Sequence, residues 1–181
     1  MGLYKYLRQA WKKPSAELVE LNRQKMIQWR KQPTTVRIDH PSRLDRAHSI
    51  GFKAKQGIFL VRQRLSRGGR MRDTDGRGGR KSKNARRFLI LDKSYQSVAE
   101  VRASSKYPNC EVLNSYFVAQ DGKNIWFEII MIERSHPNIV NDSTLRNVAA
   151  QRGRANRGLT SAGKKSRGLR QKGKGTEHMR R

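Results

Sequence analysis

The chain has 181 residues, with 41 Lys and Arg against 14 Asp and Glu, for a net charge of +27 at pH 7. Apolar side chains make up 35%, so the core is small for the length, and the longest wholly apolar runs, such as 58–61, 88–91 and 129–132, hold four residues where a bilayer span needs roughly 20. A transmembrane segment is excluded, the single Cys110 rules out an intrachain disulfide and fits a reducing compartment, and self-repulsion on this scale calls for a polyanionic partner, nucleic acid first.

The opening MGLYKYLRQAW lacks the apolar stretch of a secretory signal, and Tyr6 stands where myristoylation wants Ser or Thr. Leu3, Leu7, Ala10 and Trp11 form a helical stripe that Pro14 interrupts. A second helix is expected from Ser15 to Lys31. Ser15 is its N-cap, Glu17 and Glu20 suit the positive first turn, Arg30 and Lys31 suit the last, and Pro33 is a stop. Its narrow apolar face, Leu18, Leu21, Met26 and Trp29, places it on a surface.

Residues 35–38 read as a short strand and 41–49 as a short charged helix. A firm strand runs from Ile58 to Leu65, with Arg62 and Arg64 on one face, as if it left the core for a charged partner. A helix is expected over 94–106, with Ser97 and Glu100 at capping-box spacing and Tyr107-Pro108 as its end. The clearest signal is a hairpin, 112–119 and 124–132, joined through Asp121-Gly122, a pair suited to a type I′ turn. In its second arm only Glu128 breaks a pattern buried on both faces, so helices are expected on both sides of this strand. The fold class is α+β with a mostly antiparallel sheet.

The charge is clustered rather than interspersed. Residues 1–61 carry +9, residues 62–87 carry +9 in less than half that length, residues 88–145 carry −2, and residues 152–181 carry +10. A near-neutral centre therefore bears two Gly-rich basic segments. With Leu159, Leu169, Met179 and a few Ala as its apolar content, the last segment is expected to stay unordered until it meets RNA. The expected organisation is one domain, 1–151, with a basic internal loop at 67–87, followed by a basic extension at 152–181. Trypsin should trim both basic segments from the free protein and spare the hairpin.

Residues 158–165, GLTSAGKK, nearly match a phosphate loop, but Lys165 replaces the hydroxyl residue and no apolar strand precedes it. Backbone and Lys contact with nucleic-acid phosphates is the better use of this segment. The loop at 67–87 holds no dinucleotide fingerprint; its Arg residues suit phosphates and stacked bases, and its Gly residues keep the backbone thin. His40, His48, His136, His178 and Cys110 show no metal spacing, so no metal and no cofactor are expected. Asp39-His40 and Asp45 with His48 keep a ribonuclease as the enzyme alternative, but no acidic pair in a dry pocket supports it. The tail offers no amphipathic helix for an anionic membrane.

Several blocks in order resemble one family, the large-subunit ribosomal protein fifteen family of the eukaryotic and archaeal type. They are MGLYKYLRQAW, GFKAKQG at 51–57 with the strand into Arg67–Arg70, SYQSVAE at 94–100, VLNSYF at 112–117 and RGLTSAGKKSRGL at 157–169. The resemblance implies a β-(α)-β-α-β-β core with N-terminal helices, a long basic loop and a C-terminal extension. It also implies a non-catalytic structural constituent of the large subunit, in the cytoplasm. Its partners would be large-subunit ribosomal RNA and neighbouring ribosomal proteins, with no membrane and no small-molecule substrate. Without it, the residues alone reach a non-catalytic RNA-binding assembly protein.

The expected contacts follow the charge map. One arm comprises Arg67, Arg70, Arg72, Arg77, Arg80, Lys81, Lys83, Arg86 and Arg87, continuing Arg62 and Arg64. The other comprises Arg152, Arg154, Arg157, Lys164, Lys165, Arg167, Arg170, Lys172 and Lys174, and Lys53 and Lys55 add contacts from the core's edge. Specificity is expected from RNA shape, since no RNP1 motif or GXXG clamp is present.

Overall fold

Hydrophobic alternation along one long hairpin organises the fold. The structure, a computed structural model, describes residues 2–71, 88, 89 and 91–175. Two helices open the chain, α1 (Leu3–Lys12) and α2 (Ala16–Lys31), followed by β1 (Thr35–Ile38), α3 (Leu44–Ser49) and β2 (Ile58–Ser66). A short ribbon, β3 (Arg70–Met71) with β4 (Phe88–Leu89), precedes α4 (Tyr95–Lys106), β5 (Cys110–Gln120) and β6 (Asn124–Glu133). Three short helices close the described chain: α5 (Pro137–Val140), α6 (Ser143–Ala149) and α7 (Ser161–Ser166). Strands β1, β2, β6 and β5 form one sheet in that order, every pair antiparallel. The α+β class and the β-(α)-β-α-β-β order are therefore as expected.

Strand β6 is central, and its two faces feed two cores. Ile125, Phe127, Ile129 and Met131 pack with Val61, Leu65, Val112 and the α4 residues Ala99 and Ala103. Trp126, Ile130 and Ile132 pack on the other side with Leu60, Tyr116, Trp29 of α2, Ala47 of α3, Ile139 of α5 and Leu145 of α6. Trp29 meets Trp126 edge to face, with centroids 5.9 Å apart. A strand buried on both faces reads as nearly continuous apolar sequence, which is the pattern seen.

Glu128 sits in the second core at 0% exposure. Its carboxylate accepts the Ser42 amide at 3.0 Å, the Ser42 hydroxyl and the Tyr116 hydroxyl. Burial pushes the Glu128 carboxyl above its ordinary range, against the opposing effect of these donors and of Arg62. The Tyr116 phenol is likewise driven up, by burial first and then by the neighbouring Glu128 charge.

Two local expectations differ from the structure. Asp121 N–H donates to Asn124 O at 2.9 Å, and Asp121 Oδ1 accepts the Lys123 and Asn124 amides. Gly122 has no positive φ, so the hairpin closes through an Asx turn rather than a type I′ turn. The N-cap of α4 is Ser94, which accepts from Ser97 N; Glu100, assigned to a capping box by spacing, points instead into the protein. The α2 boundaries and its Ser15 cap, in contrast, are as expected, and only Trp29 of that helix is buried.

The largest difference concerns the segment after residue 151. Its 152–170 part is packed on the core: Ala155, Thr160 and Ala162 are buried, and α7 lies against α4 and β5. The few apolar atoms available are small and sit at tight contacts. Polar ties supply the rest of the attachment.

Candidate nucleic-acid interface

The end of β2 holds Arg62 and Arg64, and the protein itself is their partner. The Arg62 guanidinium stacks on the Trp29 ring, 4.3 Å from its centroid, and donates to Gln32 Oε1 at 2.7 Å. Burial lowers the Arg62 pKa, with the Glu128 charge opposing. Arg64 donates to the Arg30 carbonyl, satisfying an acceptor at the C-terminal end of α2. The alternation that marked both residues as outward-facing was real, but α2 folds back over that face.

Beyond β2, Arg67 is exposed and donates to the Asp121 carbonyl at 2.6 Å, while Arg30 pairs with the Asp121 carboxylate at 2.8 Å. The hairpin tip is thus tied both to α2 and to the base of the basic loop. Arg70 lies in β3, opposite Leu89 of β4. Arg72, Arg77, Arg80, Lys81, Lys83, Arg86 and Arg87 lie outside the described residues. In the connection between α3 and β2, Lys53 is exposed, whereas Lys55 bonds Asp142 Oδ2 at 3.1 Å. Asp142 also caps α6, and its bonds to Thr144 and Lys55 hold its carboxyl well below the usual range.

The C-terminal segment carries the densest described group of cations. Arg152, Arg157, Lys164, Lys165, Arg167, Arg170, Lys172 and Lys174 are all exposed, and no Asp or Glu occurs between Asp142 and Glu177. Several of these side chains are set by backbone carbonyls: Arg157 donates to Arg152 O at 3.0 Å, and Arg167 to Arg157 O at 3.1 Å. Arg170 reaches the Ser161 hydroxyl and carbonyl. Arg154 is the exception. Its side chain is turned inward towards Glu111 and Glu100, and burial lowers its pKa against their attraction.

The phosphate-loop-like sequence has a different use in the structure. Thr160 caps α7, accepting Gly163 N at 3.1 Å. A Cβ at Gly163 would stand 2.6 Å from the Gly158 Cα, and Gly158 itself has φ +65°. The two glycines exist so that two backbone stretches can touch. Replacing Gly163 with Ala is expected to open this contact and expose Lys164 and Lys165 to faster trypsin cleavage. In the native chain the first C-terminal cuts should fall at Arg170 to Lys174. Cleavage at Arg152 or Arg157 at the same early time would contradict the packing just described.

Glu100 and Glu111 are the residues that sequence reasoning missed at this site. Each is a carboxylate in an otherwise well-packed element; spacing alone offered a cap for Glu100, and Glu111 lay just before the expected hairpin arm at 112–119, whereas β5 begins at Cys110. Two of the histidines also have structural roles: His48 packs between Tyr4 and Phe52, and His136 accepts Asn138 N at the start of α5, while His178 lies outside the described residues. Among the described residues no three His, Cys, Asp or Glu gather as a metal site would require.

A family model described as Ribosomal L15 matches residues 2–181. The large ribosomal subunit protein eL15 of Methanocella arvoryzae is 53% identical over 177 residues, covering 96% of this chain and 90% of that protein. The protein of the same name from Methanocorpusculum labreanum is 47% identical over 180 residues, covering 99% and 93% respectively. The chain belongs to the eL15 family. Membership makes it a structural, non-enzymatic ribosomal protein of the large subunit, located in the cytoplasmic ribosome and engaged in translation. The ribonuclease alternative falls with this. Asp45, one half of the imagined acid–base pair, is buried beside Arg43 at 3.5 Å, and His48 is occupied in the aromatic stack.

Proposed function

We propose that this eL15-family chain binds large-subunit ribosomal RNA by charge neutralisation, chiefly through residues 152–174 and the basic loop beyond Arg67, with neighbouring ribosomal proteins as its other partners. The observation that carries the reading is the row of exposed cations from Arg152 to Lys174 on a segment without a carboxylate, attached to a near-neutral sheet core. Phosphates gain most from such a surface, because each neutralised phosphate releases condensed counterions. Arg62 and Arg154 contribute less directly, their guanidinium groups being partly buried, while Arg64 and Lys55 stay partly exposed and are held by the Arg30 carbonyl and by Asp142.

Mass spectrometry of ultraviolet cross-links in assembled subunits tests this. Cross-links to RNA are expected in 152–174, in 67–87 and at Lys53, and to be sparse in the buried strand β6. Adducts concentrated in 110–133 would sink the reading.

A further inference from the structure

Seven Lys and Arg residues fall within residues 152–170, and like charges at that density resist compaction unless something holds them. Two buried carboxylates of the core do so. Glu111 of β5, 4% exposed, accepts the Gly153 amide at 2.7 Å and the Arg154 amide at 3.2 Å. Glu100 of α4, fully buried, accepts the hydroxyls of Ser115 and Thr160, and Thr160 in turn caps α7. A third tie joins the far end of α7 to the start of α4, where Ser94 N donates to Ser166 Oγ at 3.2 Å. The attachments at 153–154, 160 and 166 are spread along the segment, so it is fixed in orientation as well as in place.

We propose that Glu100 and Glu111 are positioning residues for RNA binding, holding residues 152–170 as a preformed cationic shelf so that the segment loses its conformational freedom during folding rather than on the RNA. Neither carboxylate faces RNA, and both act through the backbone and hydroxyl groups they hold. The inference rests on the functional reading above. A segment ordered in advance binds more tightly than a free one making the same contacts, because the ordering cost is absent from the binding step.

Charge counting and positioning make opposite predictions here. Glu111→Ala removes a negative charge, so counting alone predicts tighter binding to a polyanion. Positioning predicts weaker binding, by roughly tenfold, because two amides lose a charged acceptor and the shelf loosens. The slope of affinity against salt should stay unchanged, since the same phosphates are finally met. Glu111→Gln keeps one acceptor oxygen and should lose less. Thr160→Val, which preserves volume but removes the hydroxyl between Glu100 and α7, should weaken binding in the same way, and it carries the test if the Glu111 variants fail to fold.

The measurement is a titration of the full chain against a large-subunit ribosomal RNA transcript over a range of salt concentrations, with Lys164→Ala/Lys165→Ala as a parallel variant. Loss of affinity at constant slope in Glu111→Ala and Thr160→Val is the expected result. A folded Glu111→Ala or Thr160→Val protein that binds as tightly as the native chain, or more tightly, while the double Lys variant has a reduced slope, overturns the positioning role and leaves the functional reading intact. An unchanged slope and affinity in the double Lys variant would instead remove the functional reading for this segment, and the positioning role with it.

Discussion

Replacing Glu128 with alanine is expected to lower the unfolding free energy by roughly 3 to 5 kcal/mol, because the buried Tyr116 hydroxyl and both Ser42 donors lose their acceptor together. For a chain of this size that corresponds to a drop in melting temperature of about 10 °C. Glu128→Gln keeps the shape and one acceptor oxygen, and its amide can donate to Tyr116, so it should cost about 1 kcal/mol. A Glu128→Ala protein melting within about 2 °C of the native chain would mean that Ser42 and Tyr116 find other partners.

The same carboxylate sets a pH signature. Burial raises the Glu128 and Glu100 pKa values above the ordinary 4.5, so between 4.5 and the raised values the folded protein holds protons that the unfolded chain has released. Stability from these two groups therefore falls as pH rises through that window, and is recovered on acidification towards 4.5. Asp121 and Asp142 work in the opposite sense: their values are lowered, so their contribution is present above the ordinary 3.8 and is lost as pH falls through the lowered values. Compared at constant ionic strength, the native protein should gain stability over Glu128→Gln as the pH falls through that window towards 4.5. A difference that stays constant from neutral pH down to 4.5 would show that folded Glu128 holds no proton that the unfolded chain has released.

The sheet was legible because its signals are collective. Eight consecutive buried positions from Ile125 to Ile132, interrupted in polarity only by Glu128, leave little choice but a central strand, and Ser15 with Pro33 brackets α2 by local chemistry alone. The parts not legible depend on long-range partners. Nothing within a few residues of Arg62 reveals that Trp29 will lie beneath its guanidinium, so an inward-facing charge looks like an outward-facing one. Glu100 fits a capping box three residues after Ser97, yet its partners are Ser115, and Thr160 some 60 residues away. The shelf at 152–170 was hidden for the same reason. Its apolar content is too low to announce burial, and its attachment relies on backbone amides, which every residue but proline carries and no composition reveals.

That attachment changes what truncation should do. Counterion release lowers affinity by roughly 0.7 to 0.9 log units per log unit of salt for each phosphate neutralised. Deleting 171–181 removes Lys172, Lys174, Arg180 and Arg181; with about half of these on phosphates, the slope should flatten by roughly 1 to 2, and the core should keep its stability. Deleting 152–181 removes eleven Lys and Arg, and on the same basis should flatten the slope by roughly 4 to 5. The longer deletion also strips Glu111 of both amide donors and Glu100 of Thr160, and uncovers the surface under Ala155 and Ala162. It should therefore cost about 2 to 5 kcal/mol of stability in addition, while the β2, β5 and β6 core stays folded. A protein that bound RNA through its core would keep nearly the full slope after either deletion, and would respond most to charge reversal at Lys53. Circular dichroism to establish folding, paired with the salt titration, separates the two cases: a folded 1–151 chain retaining the full slope would remove residues 152–174 from the binding mechanism.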